Sequence, residues 1–127
     1  MIEFVIYGSP VPQGRPKFYR RGNHVGVYDP AKSKDWKSEV RWQAIEQKAK
    51  IHDGPLSLSL RFVLPRPKSL PKKVEHHTKR PDVDNLVKGT LDALKGLCYI
   101  DDAQVVILVA SKHYGETPCV EVKIMPV

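Results

Sequence analysis

Two short clusters of aspartates are the residues best suited to chemistry in this sequence. Asp82 and Asp84 stand two positions apart, and Asp101 and Asp102 are adjacent. Mg²⁺ prefers oxygen ligands, and two or three carboxylates can position one or two such ions. A bound Mg²⁺ can activate water and stabilise the charge that develops on a phosphate under attack. The aspartates therefore predict a metal-dependent phosphodiesterase in which they are the metal ligands.

The charge of the chain predicts the partner. The 127 residues carry a net charge of +7, which favours a polyanionic partner. Residues 82–102 are the exception, with five acids and two bases. No apolar run is long enough to cross a bilayer, and no basic amphipathic helix is predicted. Nucleic acid is thus the expected partner, rather than a membrane or a small-molecule substrate, and the acidic segment would hold cations beside its phosphates.

A purely structural interpretation of the first cluster must be weighed against this one. Pro81 disfavours helix before it, so Asp82 is a natural N-cap and Asp84 lies in the first turn. Each acid would then favour the helix dipole by ~0.3–1 kcal/mol. On that interpretation the protein is a non-catalytic DNA-binding module.

The elements around the acids decide whether they can meet. Apolar spacing predicts a helix over 83–95, ended by Gly96. Lys88 lies one turn beyond Asp84, either as an ion pair or as a cation for the scissile phosphate. The short return through 97–100 predicts that the Asp101–Asp102 pair comes back toward the start of this helix.

Asp92 is a poorer ligand because it lies ~12 Å beyond Asp84 along the helix axis. Its predicted role is to pair with Lys88 or with a neighbouring base.

The remaining elements predict the fold class. Ser33 is predicted to cap a second helix that runs to about Lys50. This helix has two apolar sides, which require either two layers of this chain or a partner subunit. A hairpin turns at Gly22–Asn23 within 18–28. Apolar alternation predicts strands over 2–7, 56–64, 105–110 and 120–124. The prediction is one α+β domain over 1–127, with a mixed sheet, or a split βαβ arrangement, packed by two helices.

Basic residues cluster in two loops that we expect to bind DNA phosphates. The first set surrounds a loop rich in glycine and proline, and the second lies in a proline-stiffened loop over 65–81: Arg15, Lys17, Arg20 and Arg21, then Lys72, Lys73, Lys79 and Arg80. Cys98 and Cys119 are predicted to be free thiols, and the lack of a signal peptide predicts a cytoplasmic protein.

These motifs together resemble the RusA family of Holliday-junction resolvases. The resemblance rests on the run from Asp82 to Lys88, on Leu91-Asp92-Ala93-Leu94, on Asp101-Asp102-Ala103-Gln104-Val105, and on the opening Gly8-Ser9-Pro10-Val11-Pro12-Gln13-Gly14-Arg15-Pro16. It covers nearly the whole chain.

The resemblance implies a homodimeric, Mg²⁺-dependent endonuclease, for which Mn²⁺ can substitute. Such an enzyme nicks four-way DNA junctions symmetrically during recombination and repair. It also implies that the catalytic residues are Asp82, Asp84, Lys88 and Asp102, with Asp101 as an auxiliary acid. A metal nuclease acting on flaps or other branched DNA remains the alternative substrate class.

Overall fold

The computed structural model describes residues 1–14, 17–28 and 30–127. They form six strands, two α-helices and a short 3₁₀ turn at Asp102–Gln104. In chain order the elements are β1 Ile2–Tyr7, β2 Lys17–Arg21, β3 His24–Tyr28, α1 Ala31–Glu46, β4 Leu56–Pro65, α2 Val83–Leu94, β5 Val105–Gly115 and β6 Cys119–Pro126. The α+β class with a mixed sheet and two helices is therefore confirmed. No helix in the described part is long and apolar enough to cross a membrane.

Four strands form the main sheet in the order β1-β6-β4-β5. β4 pairs antiparallel with β6 and parallel with β5, which confirms a mixed sheet. A parallel pair requires a long crossover connection, and here residues 66–104, which include α2, supply it. The order leaves β1 and β5 as the two edges of the sheet.

One face of β4 forms the centre of the core. The apolar residues predicted on this strand are buried beneath the helices: Leu56, Leu58, Leu60, Phe62 and Leu64. They share the core with Ile6, Val40, Leu86 and Leu94. The polar residues between them point to the other face, where Arg61 pairs with Glu121 at 2.7 Å. The antiparallel part of a sheet can leave such a face in water.

Helix α1 begins three residues earlier than predicted. Its N-cap is Pro30, and Ser33 lies inside the first turn, where its hydroxyl donates to the Pro30 carbonyl at 3.0 Å. The predicted cap at Ser33 is therefore wrong. The helix also ends at Glu46 rather than near Lys50.

The two apolar sides of α1 have different environments. Trp36, Val40 and Ala44 are buried against the rest of the chain, whereas Trp42 and Ile45 remain more than half exposed. The second side is therefore not covered by the described residues, and the predicted burial between two layers of one chain is wrong for it.

The predicted hairpin is confirmed as the separate two-stranded sheet β2–β3. Gly22 occupies the turn with φ +58°, a conformation that glycine adopts without steric cost. Both predicted free thiols are confirmed as well, since Cys98 and Cys119 are buried and unlinked.

Candidate active site

The start of α2 presents two exposed carboxylates. Asp82 is the N-cap in an extended conformation, with φ −74° and ψ 144°, and Asp84 lies in the first turn. Asp82 thus stands outside the helix, as simultaneous use of both carboxylates requires. Both side chains face solvent.

The structural interpretation of Asp82 predicts a capping hydrogen bond. Among the described residues, no backbone N–H of α2 donates to its carboxylate. The Asp82 carboxylate is therefore available to a cation. Within the described residues, its contribution to the helix is favourable alignment with the helix dipole.

The second acidic pair divides into two roles. Asp101 is the N-cap of the 3₁₀ turn, and its carboxylate accepts the N–H of Ala103 at 3.0 Å. This hydrogen bond, followed by contact with the Asp102 carboxyl and by the charge of Lys95, lowers the pKa of Asp101. Asp102 is the first residue of the turn and is half-buried. The Asp101 carboxylate is therefore engaged in capping the turn.

Gln104 completes the support of this turn, a role that its place in the acidic motif did not predict. Its Oε1 accepts the backbone N–H groups of Ile100 and Asp101. Its Nε2 donates to the carbonyls of His52 and Gly54 at 2.8 and 2.9 Å. The spacing Asp-x-x-Gln resembles a capping box, and this was the available sequence signal.

The return from α2 does not run back along the helix. The Gly96 N–H donates to the Tyr99 carbonyl at 2.7 Å, and the Tyr99 hydroxyl donates to the Leu91 carbonyl at 2.7 Å. The chain therefore turns against the end of α2, where Lys95 lies close enough to affect Asp101.

The two acidic pairs consequently lie at opposite ends of α2. The 12-residue helix spans ~18 Å at 1.5 Å per residue. Lys112 lies ~23 Å beyond Val105 along β5 at 3.3 Å per residue, close to the C-terminal end of the strand. The Lys112 ammonium donates to the Pro81 carbonyl at 2.9 Å, so the neighbouring Asp82 also lies at the C-terminal end of β5, far from its start.

The predicted meeting of the Asp101–Asp102 pair with the start of the helix is therefore wrong within one chain. In the described residues, no group of three or more Asp, Glu, His or Cys side chains is placed to hold a metal ion. The sequence prediction identified carboxylates at both ends but not the direction of the return.

Lys88 is exposed one turn beyond Asp84, on the side of α2 that faces solvent. Asp92 pairs with Lys37 of α1 at 3.5 Å. A neighbouring base, rather than Lys88, is therefore the partner of Asp92.

A cleft of about 490 Å³ opens beside Asp82. The loop after β1 forms one wall, because the Gln13 N–H donates to the Asn85 carbonyl at 3.0 Å. Its lining is Pro12, Gln13, Arg80, Pro81, Asp82 and Asn85. Carboxylate, amide and guanidinium groups thus meet at the start of α2.

Most of the basic residues predicted to bind DNA are exposed. Arg20 and Arg21 lie on the hairpin, and Lys17 belongs to its first strand, whereas Arg15 lies outside the described residues. The other four are exposed on the loop that precedes α2: Lys72, Lys73, Lys79 and Arg80.

The basic loop is folded around Arg66, which the sequence analysis did not single out. The Arg66 guanidinium donates to the carbonyls of Val74 and Pro71 at 2.7 and 2.5 Å. It also lies 5.4 Å from the centre of the Tyr114 ring. Arg66 therefore holds the turn that carries Lys72 and Lys73.

Comparison with known proteins identifies the family of the chain. A protein of Bacillus subtilis (strain 168), the uncharacterized protein YqaN, is 45% identical over an alignment that covers 99% of this chain and 96% of that protein. Residues 7–125 match the family of endodeoxyribonuclease RusA, a span that includes every acidic and basic residue considered above. The chain therefore belongs to the RusA family of endodeoxyribonucleases.

Proposed function

We propose that this protein is a Mg²⁺-dependent homodimer that resolves four-way DNA junctions by paired, symmetrical nicks in the cytoplasm. Mn²⁺ is expected to substitute for Mg²⁺. Each active site combines Asp82, Asp84 and Lys88 of one chain with Asp102 of the other, supported by Asp101 of that second chain.

The observation that carries this proposal is the separation of the two acidic pairs within one chain. Asp82 and Asp84 lie at the far end of β5, and Asp102 lies at its start. A single chain therefore offers two half-sites ~20 Å apart, too far for one metal centre with ligand distances of 2.0–2.1 Å.

A two-fold dimer through β5 would join these halves. In an antiparallel pair of identical strands, the start of one strand lies beside the end of the other. Pairing β5 with its copy about a point near Leu108 would place Asp102 of the second chain opposite Tyr114, two residues from Lys112 on the same strand, and so toward Asp82. Two equivalent sites would result, one for each nick.

The exposed side chains of β5 support such a pairing. Four consecutive aliphatic residues on this edge strand are 43–61% exposed: Val106, Ile107, Leu108 and Val109. Proteins usually protect a sheet edge with charges, prolines or covering groups, because an open edge invites pairing with another chain. Residues 105–111 contain no charge and no proline.

The opposite edge of the sheet is protected, which makes β5 the favoured interface. Gln43 of α1 accepts from the Tyr7 N–H at 2.7 Å and donates to the Tyr7 carbonyl at 2.8 Å. Gln47 makes the same pair of hydrogen bonds with Val5, at 3.3 and 2.8 Å. Two glutamine amides thus occupy the backbone groups of β1 that another strand would need.

The donor set suits Mg²⁺. Asp82 and Asp84 are exposed carboxylates, and Asp82 is free of a capping bond from the described part of α2. When bound, Mg²⁺ would supply Lewis-acid activation of water and stabilise charge on the phosphate. The aspartates would hold it, and Lys88 would present an ammonium to the scissile phosphate.

The basic surface would hold the DNA arms. The hairpin and the 66–81 loop carry exposed Arg20, Arg21, Lys72, Lys73, Lys79 and Arg80, and Arg80 borders the cleft beside Asp82. Neutralisation of phosphates by such residues supplies most non-specific affinity and makes binding salt-dependent.

A cleavage assay on defined DNA substrates tests the proposal. A synthetic four-way junction, a flap and a linear duplex are each incubated with the protein and Mg²⁺, Mn²⁺ or EDTA. We expect paired nicks in the junction with either metal and none with EDTA. Equal cleavage of flap or duplex would contradict junction selectivity, and no nicking with any divalent metal would leave only a DNA-binding module.

A further inference from the structure

We propose that Lys112 is a positioning residue that fixes the peptide carrying Asp82 and thereby sets the metal affinity of the site. Its ammonium donates to the carbonyls of Lys79 and Pro81 at 2.7 and 2.9 Å. Lys112 lies on β5, paired in register with buried Phe62. This inference rests on the proposed function.

The two hydrogen bonds control the residue before Asp82. The Pro81 carbonyl belongs to the peptide whose nitrogen is that of Asp82, so holding the carbonyl holds the plane from which Asp82 projects. Asp82 itself has no capping bond from the described part of α2 to fix its side chain. Its direction therefore depends strongly on the backbone just before it.

Helix stability alone does not explain a lysine at this position. A cation close to a helix N-terminus interacts unfavourably with the helix dipole, whereas one at the C-terminus is favourable. The same helix has Arg41 at its C-terminal end, where Nη1 donates to the carbonyls of Ala93 and Lys95 at 2.9 Å each. Arg41 fits the dipole and Lys112 opposes it.

The surroundings of Lys112 keep its charge directed at the loop carbonyls. His77 stacks on Tyr114, with ring centres 4.5 Å apart. Burial, and then the charge of Lys112, lowers the pKa of His77, which favours a neutral ring beside the ammonium. The carbonyls of Lys79 and Pro81 are therefore the groups that the lysine charge faces.

Groups that orient metal ligands without touching the metal have large effects. Their loss typically costs 10–100-fold in metal affinity or activity. A small rotation of the Pro81–Asp82 peptide would displace the Asp82 carboxylate by a distance comparable to the tolerance of a metal site.

The test compares Lys112→Met, which keeps the side-chain length and removes the donors, with Lys112→Arg, which keeps a cation and donors. Lys123→Met is the matched control, because Lys123 is an exposed lysine of β6 that pairs with Glu3. Three quantities are measured: Mn²⁺ affinity by calorimetry, the metal concentration for half-maximal junction cleavage, and junction binding without metal.

We expect Lys112→Met to weaken Mn²⁺ binding and to raise the half-maximal metal concentration by about 10-fold or more. Metal-free junction binding should match that of Lys123→Met, and Lys112→Arg should recover most of the loss. If Lys112→Met does not fold, Lys112→Gln, which keeps one donor group, should show a smaller shift in the same direction.

Two results would overturn the role of Lys112 while leaving the proposed function intact. One is an unchanged metal dependence in Lys112→Met or Lys112→Gln alongside an active wild-type protein. The other is a loss confined to metal-free junction binding, which would make Lys112 a phosphate contact. A wild-type protein that cleaves no junction would instead reject the proposed function, and this inference with it.

Discussion

Asp82 and Asp84 show how much of a candidate site residue types and spacing can predict. The Pro-Asp-x-Asp pattern predicts both a helix start and a metal ligand pair, and the backbone at Asp82 is extended as that pairing requires. What the sequence could not decide was whether the Asp82 carboxylate caps the helix. The absence of a capping bond from the described part of α2 favours the chemical role.

Replacement of either acid by asparagine separates chemistry from folding. Asparagine is also a good N-cap, so Asp82→Asn should leave the melting temperature nearly unchanged. Asp82→Asn and Asp84→Asn should each abolish cleavage and keep or tighten junction binding, because repulsion of phosphate falls. Gel-shift and cleavage assays on the same preparations measure both effects.

The control for these variants is Asp92→Asn, since Asp92 pairs with Lys37 away from the start of α2. It should retain cleavage. Normal cleavage by folded Asp82→Asn protein would show that this carboxylate serves the helix alone.

Lys88 offers a second prediction at the residue scale. Lys88→Ala should lower the cleavage rate at saturating junction by ~10²–10³-fold, the range found when one donor to a developing oxyanion is removed. The junction dissociation constant should change little. Single-turnover kinetics measures the rate, and weakened binding with a normal rate would assign Lys88 to DNA holding instead.

Helix α2 is the element on which the site is built, and its limits were largely predictable. The apolar stripe and Gly96 predicted 83–95, and the helix covers Val83–Leu94. The spacing did not predict the tertiary contact that follows the helix. The Tyr99 hydroxyl donates to the Leu91 carbonyl, so the segment after α2 stays beside the C-terminal end of the helix. A local pattern contains no information about that contact between the turn and the helix end.

Arg41 fixes the C-terminal end of α2, and its loss should destabilise the fold. Removing two hydrogen bonds from a charged donor, as in Arg41→Ala, should lower the free energy of unfolding by about 1–3 kcal/mol. Urea denaturation followed by tryptophan fluorescence measures the change. Arg61→Ala is the matched control, because its exposed ion pair with Glu121 is worth only ~0–1 kcal/mol.

Equal losses of unfolding free energy in the two arginine variants would contradict this stabilising role of Arg41. A larger loss in Arg41→Ala alone would support it.

At the scale of the whole molecule, the two edges of the main sheet differ in how well they are protected. Glutamine amides occupy the backbone of β1, whereas β5 exposes four aliphatic side chains. Alternation predicted both strands, but it could not show which strand lies at an edge, since that depends on the order β1-β6-β4-β5. The exposed edge of β5 is thus a second candidate surface for a partner subunit, besides the exposed side of α1.

A charge on β5 should separate the subunits. Val109 is 61% exposed, and Val109→Lys would place like charges near each other across a two-fold axis. We expect a folded monomer that does not cleave. Sedimentation velocity reports the oligomeric state, with Tyr7→Lys on the protected β1 edge as the control that remains a dimer.

A dimeric and active Val109→Lys protein would exclude β5 as the interface. The exposed Trp42 and Ile45 of α1 would then be the next surface to test.

The most direct test of the central claim mixes two inactive proteins. In a dimer of one Asp82→Asn chain and one Asp102→Asn chain, one shared site carries both substitutions and the other carries neither. The account predicts that the mixture regains junction nicking, limited to one strand per dimer, although each variant alone is inactive. No recovery in mixed dimers verified by mass spectrometry would contradict it, because sites contained within single chains would both remain defective.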